Sequence, residues 1–278
     1  MKISFVTPRA ELRRYIESFW VLESPDGLPW AAESIAAPNG CAKLIIPYHN
    51  AIVSEADGRV QTTRPNRLNF VGNRRTVTRL RTSPHKTAFI AIEFRPHGAF
   101  PIFGVPMSET SNRLWETDDV FGPWSRDAQE MINNVDHANN KVACIEGQLI
   151  RLLRQNRCDS RIVEYCVGTL RSVDGRMSIR ELERRTGYSR RYLDQLFQQH
   201  VGLSPKGLAE IFRFQRFYRQ WAAGVPFDLL KAELYDHYYD QSHFTREFNR
   251  MTGHPPQAFM RSVSNEFGRR LASHGSVA

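Results

Sequence analysis

The sequence predicts an α+β protein: a β-rich N-terminal domain, a barrel or curled sheet with flanking helices, followed by an all-α double helix-turn-helix domain. Strand-like runs lie between residues 43 and 94, helical periodicity follows them, and one helical pattern occurs twice between Ser178 and Arg261. A chain of 278 residues is also long for a single core. We therefore expect a first domain over residues 1–157, a second over residues 158–265 and a flexible tail over residues 266–278.

The first domain begins with a short helical stretch from Ala10 to Phe19, and strands follow it. The predicted strands are Lys43–Ile46, Arg67–Val71, Thr76–Arg81 and Thr87–Phe94. The run from Ala88 to Ile92 is continuously apolar, which is typical of a strand covered on both faces. Two helices complete this part, Arg126–Val135 and Asn139–Gln155, and the apolar stripe of the second is either domain core or a dimer face.

The second domain contains one pattern written twice at a constant offset of 51 residues. The matching positions are Ser189 with Asp240, Leu193 with Phe244, Phe197 with Phe248, Gly202 with Gly253, and Pro205 with Pro256. Amphipathic helical hairpins occur in many all-α proteins that never bind DNA. Two copies with a cap directly after each turn favour paired helix-turn-helix units instead.

In the first unit a short helix ends at Gly187, and Ser189 caps the next helix. Burial of Leu193 and Phe197 turns the opposite side of that helix toward solvent. The side chains on this outward side can hydrogen-bond to base edges or phosphates, and they are Arg190, Arg191, Asp194, Gln195 and Gln198.

In the second unit Asp240 is the predicted cap, and Phe244 and Phe248 are the buried pair. The outward residues of this helix, our other candidates for DNA contact, are Gln241, Ser242, Thr245, Arg246 and Asn249. Between the units, Ser204 and Pro205 open a longer helix that runs to about Trp221. If this linker helix separates the two outward faces by about 34 Å, both can enter successive major grooves of one duplex.

These residues resemble the DNA-binding domain of AraC-type transcription regulators over roughly residues 161 to 263, most closely in the segment from Asp240 to Phe248 that precedes Gly253 and Pro256. The resemblance implies a sequence-specific regulator that reads two adjacent major grooves of promoter or operator DNA, with RNA polymerase as a further partner. Three positions depart from the family pattern: Glu183 and Glu233 replace alanine, and His237 replaces a turn glycine.

The N-terminal part is similar, more loosely, to the sensor domains of a poorly characterised subfamily of these regulators. This resemblance implies that a small-molecule effector or a partner controls the protein, and a homodimer is compatible with it. Trp20, Glu93 and Arg95 are the candidate ligand-binding residues. The alternative for Trp20 is that it fills the core, and the alternatives for Glu93 and Arg95 are an internal ion pair or a surface position.

Charge and composition agree with a DNA-binding protein. The net charge is +9, and +6 of it lies in residues 168–278. Neither a signal peptide nor 18 consecutive apolar residues occur, so we expect a bacterial cytoplasmic protein, associated with the nucleoid when bound to DNA, and no membrane partner.

Catalytic and metal chemistry are not indicated by any motif. The four cysteines lack C-x-x-C spacing, and the histidines lack paired metal-ligand spacing, so we expect no metal and no cofactor. We expect the protein not to be an enzyme. The alternative is a DNA-acting enzyme, such as a repair protein, in which Cys41 or a histidine does chemistry.

Overall fold

The structure, a computed structural model, describes residues 1–28, 34–156, 158–226, 230, 241–262 and 266–274. Its N-terminal part is built on antiparallel strands. The strands within the described residues are β1 (Lys2–Val6), β2 (Ile16–Ser24), β3 (Ser34–Ala36), β4 (Lys43–His49), β5 (Val53–Ala56), β6 (Arg59–Thr62), β7 (Asn69–Val71), β8 (Thr78–Arg81), β9 (Thr87–Phe94) and β10 (Leu114–Glu116).

These strands form two antiparallel sheets and not one closed barrel. The larger sheet has the order β1-β2-β9-β4-β7-β10, and the smaller has the order β3-β8-β5-β6. The central strand β9 is buried along its whole apolar run because both of its faces are covered. Ile90 and Ile92 face the helical layer, whereas Phe89 and Ala91 face the space toward the smaller sheet.

The predicted helix from Ala10 to Phe19 is wrong. Only Ala10–Leu12 form a helical turn, of the 3-10 type, and Phe19 lies within β2. This strand pairs with β1 on one side and with β9 on the other. Aromatic and β-branched side chains such as Phe19 and Val21 suit a strand between two partners, and that pairing overrides the local helical pattern.

Helices cover the outer face of the larger sheet. They are α1 (Ala99–Phe103), α2 (Met107–Thr110), α3 (Asp118–Phe121), α4 (Pro123–Asn133) and α5 (Ala138–Gln155). The apolar stripe of α5, with Val142, Ile145 and Leu149, is buried against the sheet. Of the two alternatives for this stripe, the structure gives domain core.

The C-terminal part is helical. Its described helices are α6 (Arg161–Ser172), α7 (Ile179–Thr186), α8 (Arg190–His200), α9 (Pro205–Ala222), α10 (Gln241–Thr252), α11 (Pro256–Ser262) and α12 (Glu266–His274). They share one apolar cluster arranged around α9, whose Phe214, Phe217 and Trp221 are buried. Leu193 of α8 and Phe248 of α10 belong to the same cluster, so α9 holds both units.

The expected flexible tail from residue 266 is also wrong as far as residue 274. Residues Glu266–His274 form α12, and Phe267 is buried within the N-terminal part. A polar stretch with few apolar residues resembles a tail in the sequence. Its helical structure depends on tertiary packing, which the local sequence pattern does not indicate.

The two parts of the chain are in direct contact. Gly40 has a φ of 77°, and a Cβ added there would lie 2.5 Å from the Cδ1 atom of Leu208 on α9. The Gln215 side chain donates a hydrogen bond of 2.7 Å to the carbonyl oxygen of Pro38, and Asn73 donates one of 2.7 Å to that of Val201. The C-terminal part therefore rests on the N-terminal sheets through polar and apolar contacts.

Candidate nucleic-acid interface

The first helix-turn-helix unit is closed by hydrogen bonds at its turn. Helix α7 ends at Gly187, which has a φ of 73°. Ser189 caps α8 because its hydroxyl oxygen accepts from the amide of Tyr192 at 3.3 Å. The Glu183 carboxylate also accepts from the amide of Arg190 at 2.7 Å. Glu183, which departs from the family pattern, therefore fixes the start of α8 across the turn.

Helix α8 exposes the side that the sequence predicts. Leu182 of α7 and Leu193 and Phe197 of α8 are buried in the shared apolar cluster. The remaining side is polar: Arg190, Arg191, Gln195 and Gln198 are exposed, and Asp194 is half-buried. The carboxylate of Asp194 lies 3.8 Å from the guanidinium of Arg190. This surface has the exposure and the donors needed to contact a major groove.

Removal of the cap on α8 should measure its contribution. We expect Ser189→Ala to lower the free energy of unfolding by about 1 kcal/mol, because an amide of the first turn loses its acceptor. Ser189→Asp should retain most of the stability. Urea denaturation gives both values, with Ser172→Ala as the control, since Ser172 lies at the end of α6 and caps no helix start. A Ser189→Ala variant as stable as the wild type would show that the cap does not stabilise α8.

The exposed surface at the start of α8 also includes two tyrosines that the sequence analysis did not select. Tyr188 in the turn and Tyr192 on α8 are both 39% exposed, and their ring centroids lie 4.9 Å apart. Each tyrosine presents an apolar ring face together with a hydroxyl that can form a hydrogen bond. The signal was present in the sequence as two aromatic residues at i, i+4 spacing across the start of the helix.

The second unit is described from α10 onward. Phe244 and Phe248 are buried against α9, with the Phe248 ring centroid 5.1 Å from that of Phe217. On the other side of α10, Ser242, Arg246 and Asn249 are exposed and Thr245 is half-buried, while Gln241 is the first residue of the helix. The predicted cap Asp240, the departure His237 and Glu233 lie outside the described residues.

The outward side of α8 is bordered by the N-terminal part. A groove of about 780 Å³ runs along α8 and is lined by Pro106, Ser108, Arg190, Arg191, Asp194, Gln195, Gln198 and Gln199. At the end of α8, the His200 ring centroid lies 4.4 Å from that of Phe100. The Ser111 hydroxyl donates to the carbonyl oxygen of Gly202 at 2.9 Å. The C-terminal end of α8 is thus anchored to α1 and to the loop after α2.

The three candidate ligand residues do not converge on one site. Trp20 is buried between the sheets, and its ring centroid is 5.4 Å from that of Phe89. Glu93 accepts from the Asn39 side chain at 2.9 Å and lies 3.5 Å from the Lys43 ammonium. Arg95 lies outside this group and has different partners.

Arg95 lies 3.8 Å from the carboxylate of Glu17, and its guanidinium donates to the carbonyl oxygen of Arg13 at 2.9 Å. Glu17 also pairs at 3.0 Å with Arg171 of α6. Glu93 and Arg95 therefore both form ion pairs in the structure. Glu93 pairs with Lys43 and Arg95 pairs with Glu17, so the two candidates do not pair with each other.

The chemistry proposed for Cys41 in the enzymatic alternative finds no support. Cys41 is buried, and burial together with the nearby Glu93 carboxylate raises the pKa of its thiol far above the ordinary value. The thiol therefore stays protonated, and a protonated thiol is a poor nucleophile. Within the described residues, His, Cys, Asp and Glu side chains do not gather in groups of three or more that could hold a metal ion. No helix among the described residues is long and apolar enough to cross a membrane.

Two protein-family models match the chain. One, described as a helix-turn-helix domain, matches residues 182–262. The other, described as a domain of unknown function (DUF6597), matches residues 4–116. A search of curated proteins finds no significant match.

Solved structures give weaker similarities. The 1.65 Å structure of ToxT from Vibrio cholerae is 8% identical, with 88% of this chain and 98% of that chain covered and a TM-score of 0.45. ToxT from Vibrio cholerae strain SCE256 with bound unsaturated fatty acid is 10% identical, with 88% and 96% covered and a TM-score of 0.45. The cupin_2 domain of an XRE family regulator from Enterobacter cloacae is 15% identical, with 33% and 93% covered and a TM-score of 0.27. TM-scores this low support no inference about the present chain.

Proposed function

We propose that the chain, whose residues 182–262 match a helix-turn-helix family model, is an AraC-type regulator that controls transcription by reading two adjacent major grooves of DNA. The observation that carries this proposal is the polar, exposed side of α8, held on a buried apolar core and repeated in α10 at an offset of 51 residues. The N-terminal domain, in this proposal, senses a small molecule and transmits its state to the linker helix α9.

Several partners follow from the same proposal. Promoter or operator DNA is the principal one, RNA polymerase is the second, and a homodimer would place two such modules on one site. The protein acts in the bacterial cytoplasm and associates with the nucleoid while bound to DNA. The net positive charge of residues 168–278 favours DNA among these partners, because DNA is rich in phosphate.

A footprint on fragmented DNA from the source organism tests the function directly. The full chain should protect a limited set of sites, each about two helical turns long, because each reading helix occupies one major groove. Protection that is uniform along all fragments at every salt concentration would contradict sequence-specific binding.

Single substitutions should separate base reading from phosphate contact. We expect Arg191→Ala and Gln195→Ala to lose about 1 to 3 kcal/mol of preference at one base position in one half of the site, and Arg246→Ala to do so in the other half. The larger loss should come from the first unit, since His237 replaces the turn glycine in the second. Binding selections on randomised duplexes measure each preference.

The control for that series is Arg59→Ala, which removes an exposed arginine from β6 in the N-terminal domain. Its base preferences should equal those of the wild type. A residue that contacts phosphate instead should weaken all sequences alike and lower the salt slope by about 1. Unchanged base preferences in all three reading variants would mean that these helices do not read sequence.

A further inference from the structure

The C-terminal helix α12 inserts an aromatic side chain into the N-terminal domain. Phe267 is 2% exposed, and its ring centroid lies 6.2 Å from that of Trp20. Leu271, one turn later, packs against the same apolar cluster. The guanidinium of Arg270 donates to the carbonyl oxygen of Met1 at 3.0 Å. A segment from the far end of the chain therefore completes the interior of the first domain.

The space that Phe267 fills lies between the two sheets and is apolar. Trp20, Leu22, Phe89 and Ala91 of the larger sheet form one wall, and Leu28 and Ile52 also contribute. Phe267 and Leu271 are the members of this cluster that come from outside residues 1–91. Without α12 these side chains would line an open apolar cleft.

The same cleft contains a polar group without a partner. Trp20 is 3% exposed, and its indole nitrogen Nε1 has no hydrogen-bond partner among the residues that the structure describes. A buried indole N–H usually finds an acceptor. Phe267 cannot supply one, because its side chain is a hydrocarbon. The cleft thus suits an occupant with an apolar body and one hydrogen-bond acceptor better than it suits the phenylalanine it holds.

Helix α12 also contacts the DNA-binding domain. The guanidinium carbon of Arg269 lies 4.3 Å from the ring centroid of Trp221, near the end of the linker helix α9. Trp221 in turn packs against Phe259 of α11, with 4.7 Å between ring centroids. Helix α12, which is nine residues long, therefore contacts both the cleft and α9, the helix that joins the two helix-turn-helix units.

A nine-residue helix is short enough to leave its site. Isolated helices of this length are marginal in water, so α12 depends on its docking contacts. Terminal segments also undock more readily than core elements. Phe267 and Leu271 make the apolar contacts that anchor α12 in the cleft.

We propose that the cleft around Trp20 binds a small aromatic or aliphatic compound with one hydrogen-bond acceptor, and that Phe267 occupies it when the compound is absent. Binding and docking of α12 are then mutually exclusive. Release of α12 separates Arg269 from Trp221, so ligand binding changes the contacts of the linker helix α9. This inference rests on the proposed sensing role of the N-terminal domain and gives that role a ligand class and a route.

The first test titrates 2-naphthol, a probe with an aromatic body and a hydroxyl oxygen, into the full chain. Labelling tryptophan with nitrogen-15 makes the indole N–H of Trp20 visible, and Trp20→Phe assigns its signal. Because docked α12 competes with the probe, Phe267→Ala should bind 2-naphthol at least about tenfold more tightly than the wild type. The Trp20 signal should shift in both proteins.

The matched control is Phe121→Ala, which removes a phenylalanine from the helical side of the larger sheet and leaves the cleft closed. Its affinity for 2-naphthol should equal that of the wild type. If Phe267→Ala binds 2-naphthol no more tightly than the wild type and Phe121→Ala do, α12 does not cover the site. Leu271→Ala, which removes the second anchor, gives the same comparison should Phe267→Ala fail to fold.

The second test follows α12 in the wild-type protein. Trypsin cleavage after Arg269 and Arg270, read by mass, should accelerate at saturating 2-naphthol, whereas cleavage after the exposed Arg59 should not change. Binding of 2-naphthol with no change in cleavage would overturn the proposed exclusion. Neither test uses DNA, so a failure of sequence-specific DNA binding would count against the proposed function and not against this cleft.

Discussion

Replacement of both Arg75 and Arg250 with leucine is expected to lower the free energy of unfolding by about 3 to 5 kcal/mol. The two guanidinium groups bind one carboxylate, that of Glu210 on α9, whose side chain is 7% exposed. Arg75 belongs to the N-terminal part and Arg250 to α10. The Glu210 carboxylate on α9 therefore joins the N-terminal part to α9 and α10. Without the arginines a buried charge remains unpaired, which is the costly half of breaking such a contact.

A third substitution separates this effect from lost packing. Glu210→Leu, added to the two arginine substitutions, removes the unpaired charge and should restore most of the stability. Urea denaturation of the double and triple variants gives the comparison. A triple variant no more stable than the double variant would show that the ion pairs are not the source of the loss.

Acid should destabilise the protein through two buried histidines. His97 and His200 are each 3% exposed, and burial lowers the pKa of each to about 4, against an ordinary value of about 6.5. Between these two values the unfolded chain binds more protons than the folded one, so stability is lost as the pH falls. The expected loss between pH 7 and pH 5 is about 2 kcal/mol for each ring.

His200→Gln tests one of these rings. This variant should lose about 2 kcal/mol less than the wild type over the same pH interval, because it has one fewer titrating group. Acidic side chains contribute equally to both proteins. A pH dependence as steep as that of the wild type would mean that His200 is protonated without cost in the folded state. Since His200 packs on Phe100, the contact between α8 and the N-terminal domain should weaken first.

Elements defined by local patterns could be predicted from the sequence. Strand β9 has an unbroken apolar run, and its predicted bounds match those of the structure. Helix α8 has a buried pair at helical spacing, and its cap is Ser189 as predicted. The exposed side of α8 followed from the same periodicity. The local pattern predicts a helix over part of β2, because the strand depends on pairing with β1 and β9 and not on its own periodicity.

Features that depend on distant partners could not be predicted. The carboxylate of Glu210 meets Arg75 from 135 residues away, and Phe267 meets Trp20 from the other end of the chain. Neither pairing leaves a periodic trace in the sequence. The local pattern of residues 266–278 therefore predicts a tail, and nothing in the sequence indicates that Glu93 pairs with Lys43 and Arg95 with Glu17.

The Glu183 carboxylate at the start of α8 has a consequence for how binding responds to salt. The positive end of a helix dipole, with its free amides, ordinarily attracts a phosphate. Here one of those amides, that of Arg190, already donates to an anion of the protein itself. A DNA phosphate that is kept from this position by the Glu183 carboxylate releases no counterions there, so the logarithmic salt slope becomes shallower. The first unit should thus attract DNA less strongly at low ionic strength and lose less affinity as ionic strength rises than a related unit with alanine at this position.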